Sequence, residues 1–434
     1  MGTLKPFQVI VMGIFGFVAL AGILLFANFQ GFSSGVAQVG SVTIWGTVPA
    51  SGMSAALNAF KQGHQEYASV QYVARPAATF DADLAEAIAT GRGPDLILIQ
   101  QEDLAAAQEK LSVIPSATLS ERDFRDRYLP ITELFLITGG TYGIPFLVDP
   151  LVLYYNRPVL ANAGATRPPS TWEAVSGLTS SVNLQTETQT VLKSLIALGT
   201  YENITNARGI LSLLFLQTGN GITERAATGL RSSLTRAPSD SLGRPPVESA
   251  LNFYTEFANP SKTVYSWNRS LDADRQTFLA GDLALYLGFA SERAGLSAAN
   301  PNLDFDMAPV PTPSTMSLRI TYGRAYAFAI PLASKNKEGA LMVAMTLADK
   351  SAVGGFARAT GMAPAHRAAL APNPNDLYES VYYPEALVAR GWLSPSPAET
   401  DTIFATMIGN VASGRESVST AISAAGQSLD AAFK

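Results

Sequence analysis

The segment Thr141 to Arg157, TYGIPFLVDPLVLYYNR, constrains the fold more than any other part of the chain. Gly143, Ile144 and Pro145 lead into an apolar strand, Asp149 and Pro150 interrupt it, and Leu151 to Asn156 resume it. A proline inside an extended run has no N–H for the ladder, so it belongs at a sheet edge or at a crossing between sheets. The segment therefore reads as the chain leaving one lobe and entering another.

The stretch before it alternates. Ser41 to Gly46 (SVTIWG), Val70 to Ala74 and Asp95 to Gln100 (DLILIQ) read as strands, with helical patterns over Ser54 to Gly63 and Phe80 to Thr90. Asp81 sits near the start of the second helix, where a carboxylate suits the positive dipole end. This order predicts a parallel sheet with helices on its faces. After the crossing, Thr171 is placed as the N-cap of a helix opening at Trp172. Val191 to Gly219 and Val247 to Asn259 have helical patterns, and Phe278 to Phe289 reads as a helix end, a turn and a strand. Asp304 to Pro313 is proline-rich and extended, a second crossing. Ala325 to Pro331 reads as a strand, Lys337 to Ala348 as a helix, Gly361 to Pro364 as a third crossing, and the chain from Glu399 as helical.

Val9 to Ala27 is an uncharged, apolar run behind Lys5. At about 19 residues it approaches the roughly 20 that span a bilayer as a helix, and exceeds most signal-peptide cores. The positive flank predicts a cytoplasmic N-terminus and an outward globular part. Gly31 to Gly40 is a spacer. Cysteine is absent and histidine occurs twice, at His64 and His366. That removes disulfides, thiol nucleophiles and thiolate metal sites. The net charge of −5 and the lack of basic runs predict no nucleic-acid partner. Gly31-Phe32-Ser33-Ser34-Gly35 matches a nucleophile-elbow pattern but lies in the spacer, off any strand-to-helix elbow. The carboxylate groups Asp81/Asp83/Glu86, Glu121/Asp123/Asp126 and Asp272/Asp274 read as solvated helix faces. Tyr154 and Tyr155 are adjacent in a strand, so they point to opposite faces and cannot both line one metal site.

The ordered series WGT, GRGPDLILIQ, YGIPFLVDPLVLYYNR, PSTWEAV, FLAGDLALYLGF, APVP, AFAIPLASKNKEGA and SGRESVSTAI resembles the family 1 extracellular solute-binding proteins, typified by the maltodextrin and other carbohydrate binders of ABC importers. The likeness spans nearly the whole chain after the spacer. It implies a two-lobed α/β fold of the type II periplasmic-binding-protein kind, with discontinuous lobes and three interlobe crossings. Residues 1–40 are then anchor and spacer, 41–148 with 314–362 the first lobe, and 149–313 with 363–434 the second. It implies a monomer that is not an enzyme, without cofactor or metal, capturing a small ligand between the lobes for ABC permease subunits. A membrane-tethered sensor or surface-attachment module without transport is the alternative. Two departures stand out: the lipid-bearing cysteine is missing, leaving the apolar helix as tether, and Asp401-Thr402 replaces an aromatic pair that some maltodextrin-type binders carry.

Sugar recognition calls for aromatic faces and planar polar groups in a cleft. Trp45 and Thr47 follow the first strand, and Gln100 and Gln101 end the third, where open α/β sheets face their ligands. The resemblance places an acidic ligand residue at Asp149 and a cleft aromatic at Phe289, with Ser291 beside it. Tyr201, Asn203 and Asn206 lie in a polar loop. Trp267 and Asn268 lie in an irregular stretch, with Trp267 expected to face Asp149 across the cleft. Tyr322 and Arg324 lead into a strand, and Trp392 lies in a proline-rich loop.

Overall fold

The computed structural model describes residues 39–433, apart from 189, 228 and 238–244. The apolar run from Val9 to Ala27 lies outside the described residues. Among those described, no helix is long and apolar enough to cross a membrane.

The chain begins with strand β1 (Val42–Gly46), helix α1 (Ala50–Gly63), β2 (Val70–Ala74), α2 (Phe80–Ala89) and β3 (Leu96–Gln100). β1 pairs in parallel with both β2 and β3, so the three carboxyl ends point the same way. The long strand β4 (Ile144–Asn156) follows, then α3 (Trp172–Val182), β5 (Val191–Ile196), α4 (Ala207–Gln217), α5 (Val247–Glu256), β6 (Leu283–Phe289) and β7 (Phe305–Ala308). Later come β8 (Thr321–Ala329), α6 (Lys337–Leu347), α7 (Val353–Thr360), α8 (Pro397–Ala412) and α9 (Val418–Ala432), with a further helix over Glu379–Val388 between α7 and α8. The strands join in one curled mixed sheet in the order β2-β1-β3-β8-β4-β6-β5.

β4 explains the double role of its sequence. Its first part, Ile144 to Pro150, pairs with β8, and Leu147 and Val148 pair on the other edge with Pro364 and Ala363. Its second part pairs from Leu151 onward with β6, and Leu153 to Asn156 pair with β7. Pro150 thus falls where the strand exchanges partners on both edges, the place where a missing N–H disturbs the ladder least. The sheet has a first half, β1–β3 with most of β8, and a second half, β5–β7. β4 runs through both.

Thr171 is the N-cap of α3, its Oγ1 accepting the Ala174 N–H at 3.2 Å. Val191 to Gly219, predicted helical throughout, divides into β5 and α4. A short apolar run has no period that separates strand from helix; parallel pairing of β5 with β6 decides it. After α7 the chain stays beside the first half. Ala363–Pro364 pairs with β4, Ala365 O accepts from Leu129 N–H, and Arg367 Nε donates to Tyr128 O at 2.7 Å, all in the first half. Only at Trp392, whose Nε1 donates to Ser212 Oγ at 2.9 Å, does the chain enter the core of the second. Tyr154 is buried and donates to Phe289 O at 2.8 Å, while Tyr155 turns toward Asp306.

Candidate functional site

A cavity of about 490 Å³ opens between the two halves. Its first-half wall carries Thr47, Phe80, Asp81, Gln100, Asp103 and Arg324; its second-half wall carries Arg208, Asp401 and the turn Ser396–Ala398. A larger hollow of about 730 Å³ lies beside Trp172 and Phe253, with Glu173 the only charged group among the described residues that line it. It is bounded by α3, α4, α5 and the 313–316 loop, and no residue of β1–β3 or β8 is in its lining. The smaller cavity, with convergent polar groups at an interface, is the better candidate.

Local sequence sets each wall. A side chain at Gly46 would meet the Tyr72 hydroxyl at 2.9 Å and Leu98 Cβ at 3.0 Å. With glycine there, Tyr72 donates to Val48 O at 2.6 Å and pulls the loop carrying Thr47 over the strand end. Gln101, fully buried, is a clamp: its Oε1 accepts the Ala325 N–H at 2.6 Å and its Nε2 donates to Gly323 O at 3.2 Å. These bonds hold β8 on either side of Arg324. On the other wall Ser396 caps α8, its Oγ accepting Glu399 N–H at 3.2 Å, and Asp401 stands one turn in.

The halves are tied at this cavity by an ion network. Arg208, in the first turn of α4, donates through Nε and Nη2 to the two oxygens of Glu102 at 3.2 and 3.1 Å. Its Nη1 reaches Asp401 at 2.6 Å and Pro397 O at 3.2 Å. Tyr322 also donates to Glu102, and Tyr201 donates to Asp401 at 2.5 Å. Glu102 is 1% exposed. Burial alone would raise its carboxyl, but Arg208 and Arg324 beside it and the bonds from Tyr322 and Arg208 hold it below its ordinary value. Burial likewise opposes the charge on Arg208, and Glu102 and Asp401 overcome it.

Two atoms of cavity residues have no hydrogen-bond partner among the described residues: Arg324 Nε and Gln100 Oε1, both buried. The Arg324 guanidinium lies over the Phe289 ring, 3.7 Å from its centroid. An uncompensated donor and an uncompensated acceptor in one hollow are costly unless something that enters it satisfies both.

Asp103 adds a titrating group. Burial, then the neighbouring Glu102 and Asp81, push its carboxyl up from 3.8 to about 7. Between those values the folded chain keeps a proton that the unfolded chain has released. Asp103 therefore favours folding at the acid end, and this contribution is lost as pH rises toward 7. From about pH 4 to 8 the Tm of Asp103→Asn should depend less steeply on pH than that of the wild type. Parallel Tm curves would remove Asp103 as the source.

Of the residues singled out from sequence, Thr47, Gln100 and Arg324 line the cavity. Tyr201, Gln101 and Tyr322 support it through the bonds above, and Phe289 lies beneath Arg324. The others are elsewhere. Trp45, 7% exposed, lies under Arg75 and borders a separate hollow with Asp83 and Arg92. Asp149 is 1% exposed and commits both oxygens to Ser291, accepting its N–H at 3.0 Å and its Oγ at 2.6 Å. It joins the middle of β4 to the turn after β6. Burial pushes its carboxyl up to about 6 against those two bonds. Asn203 donates to Asn268 O and Leu271 O, Asn206 donates to Leu287 O and Glu292, and Asn268 donates to Tyr265. All three pin loops. Trp392 is buried against Phe404.

Trp267 does not face Asp149. It is fully buried in the second half, with Nε1 donating to Asn203 Oδ1 at 3.2 Å. Its irregular surroundings suggested exposure, yet a large aromatic in a loop gains most by entering the core. Trp267→Ala should cost about 3–5 kcal/mol of stability and leave binding by the folded fraction unchanged, as urea unfolding and titration would show.

Arg208, Asp401, Asp103, Glu102 and Phe80 were not singled out for the site. Arg208 carried one signal, being the only charge in an otherwise apolar helix, ARGILSLLFLQ. Asp81, predicted to sit on a solvated face, is exposed but borders the cavity, and Asp274, from another such group, is 1% exposed and accepts from Thr205.

No curated protein matches the chain in sequence. Solved structures do match in fold. The GacH receptor of Streptomyces glaucescens superposes with a TM-score of 0.70 at 15% identity, covering 91% of this chain and 98% of that one. A cyclic alpha-maltosyl-1,6-maltose binding protein from Arthrobacter globiformis gives 0.72 at 18% identity, covering 91% and 99%. The Thermus thermophilus maltotriose binding protein gives 0.66 at 18%, covering 91% and 100%. The model of one family, bacterial extracellular solute-binding protein, matches residues 46–349, well over half of the chain, and with the fold and the cavity between its halves this establishes that the chain belongs to that family.

Proposed function

We propose that the protein captures a sugar between the two halves of its sheet, which act as lobes, and delivers it to the permease subunits of an ABC importer without chemical change. The lobes are residues 41–148 with 314–362, and 149–313 with the chain from Trp392 onward, residues 363–391 forming the link between them. The observation that carries the reading is the cavity itself, which converges hydrogen-bond donors and acceptors from the two halves, Thr47, Gln100, Asp103 and Arg324 opposite Asp401. A sugar hydroxyl both accepts and donates, so one ligand class answers both. The similar structures include proteins crystallised with acarbose and maltotriose. Thr47, Gln100, Asp103, Arg324 and Asp401 are the proposed contacts, with Arg208 positioning Asp401. The segment Val9 to Ala27 is proposed as the tether to the cell membrane, with the globular part outside.

A bound ligand that touches both lobes favours the closed arrangement. A saccharide that raises Tm should therefore also reduce the radius of gyration measured by X-ray scattering. Binding that leaves the radius unchanged would place the site within one lobe. Native protein lacking its first 37 residues would remove the tether.

A further inference from the structure

Resting on the sugar-binding reading, we infer that the ligand is a short, neutral saccharide held by its hydroxyls, with no sugar ring stacked on an aromatic platform. Stacking needs an open aromatic face, and the cavity offers none. Trp45, Trp172, Trp267 and Trp392 are between 0% and 7% exposed. None of them lines the cavity, and three have their indole N–H committed, to Gln217, Asn203 and Ser212. Phe80 is the one aromatic in the lining and is 5% exposed. The face of Phe289, at the end of β6, is covered by the Arg324 guanidinium. Where a stacking surface would stand, the cavity presents a donor.

Length and charge of the ligand follow. Each further ring of an oligosaccharide gains affinity by covering another apolar face; where no such face exists, lengthening gains little. The cavity volume of about 490 Å³ lies in the lower half of the range of roughly 300–1,000 Å³ for small-ligand sites. Arg208 is already paired with both Glu102 and Asp401. Those two carboxylates share its single charge, and Asp81 stands against Arg324 in the same lining, so the cavity has no surplus of positive charge for a carboxylate on the ligand.

The test is calorimetric titration of the full-length chain in detergent with D-glucose, D-galactose, D-mannose, D-tagatose, maltose, mannobiose, maltotriose, maltotetraose and D-glucuronate. The tightest binder should be a neutral mono- or disaccharide, with affinity unchanged within about threefold, or lower, on lengthening to three or four rings. Affinity rising by about tenfold from maltose to maltotriose, or preference for glucuronate, would overturn this inference and leave the sugar reading standing. No saturable binding by any of these sugars would overturn both.

Discussion

Arg324→Met is expected to weaken saccharide binding by about 10- to 100-fold, because hydrogen bonds to a charged group contribute about 1.5–3 kcal/mol. Folding should be nearly indifferent. The guanidinium makes no hydrogen bond or ion pair among the described residues, so its removal forfeits only the cation–π contact with Phe289, about 0.5–1 kcal/mol. It does help hold Glu102 ionised, but Glu102 keeps both bonds from Arg208 and the one from Tyr322. The Tm should move by no more than the roughly 2–4 °C that 1 kcal/mol produces in a domain of 150–250 residues. Calorimetric titration beside a thermal melt separates the outcomes. A collapsed Tm with affinity retained would make Arg324 part of the scaffold.

Arg208→Met should do the opposite to stability. Glu102 is 1% exposed and loses two of the three hydrogen bonds it accepts from Arg208 and Tyr322. Removing one member of a buried ion pair typically costs about 3–5 kcal/mol, since the other charge is left uncompensated. The double variant Glu102→Gln with Arg208→Met should recover a large part of that loss, because the stranded charge is gone. A double-mutant cycle by urea unfolding measures the coupling. A single variant as stable as the wild type would show that water replaces the arginine, and that the network orients Asp401 without stabilising the fold.

These two arginines differ in a way that local sequence does not express. Both stand beside apolar residues, Arg208 heading an apolar helix and Arg324 within an apolar strand. One is saturated by Glu102 and Asp401, which lie 106 and 193 residues away, and the other has no hydrogen-bond or ion-pair partner among the described residues, only the Phe289 ring. That contrast separates a positioning residue from a proposed ligand contact, and it arises only when β3, α4, β8 and α8 meet.

What the sequence by itself determined is what short-range chemistry can express. Val70–Ala74 and the strand after Asp95 were legible from apolar runs bounded by turn residues, and the N-cap from Thr171 before Trp172. Asp149-Pro150 marked where β4 changes partners, because a missing N–H is a local fact with a topological consequence. The strand ends at Thr47 and Gln100 reached the cavity because parallel strands present their carboxyl ends together. Tertiary structure decided the rest. β5 became a strand through pairing with β6, some 90 residues later, since six apolar-rich residues suit either state. Trp267 and Trp392 went into the core and Asp149 was bound by Ser291, whereas Asp401 and Asp103 came to the cavity. Periodicity reports which side of an element is apolar, but whether a polar or aromatic side chain meets protein, solvent or ligand depends on the elements packed against it from distant parts of the chain.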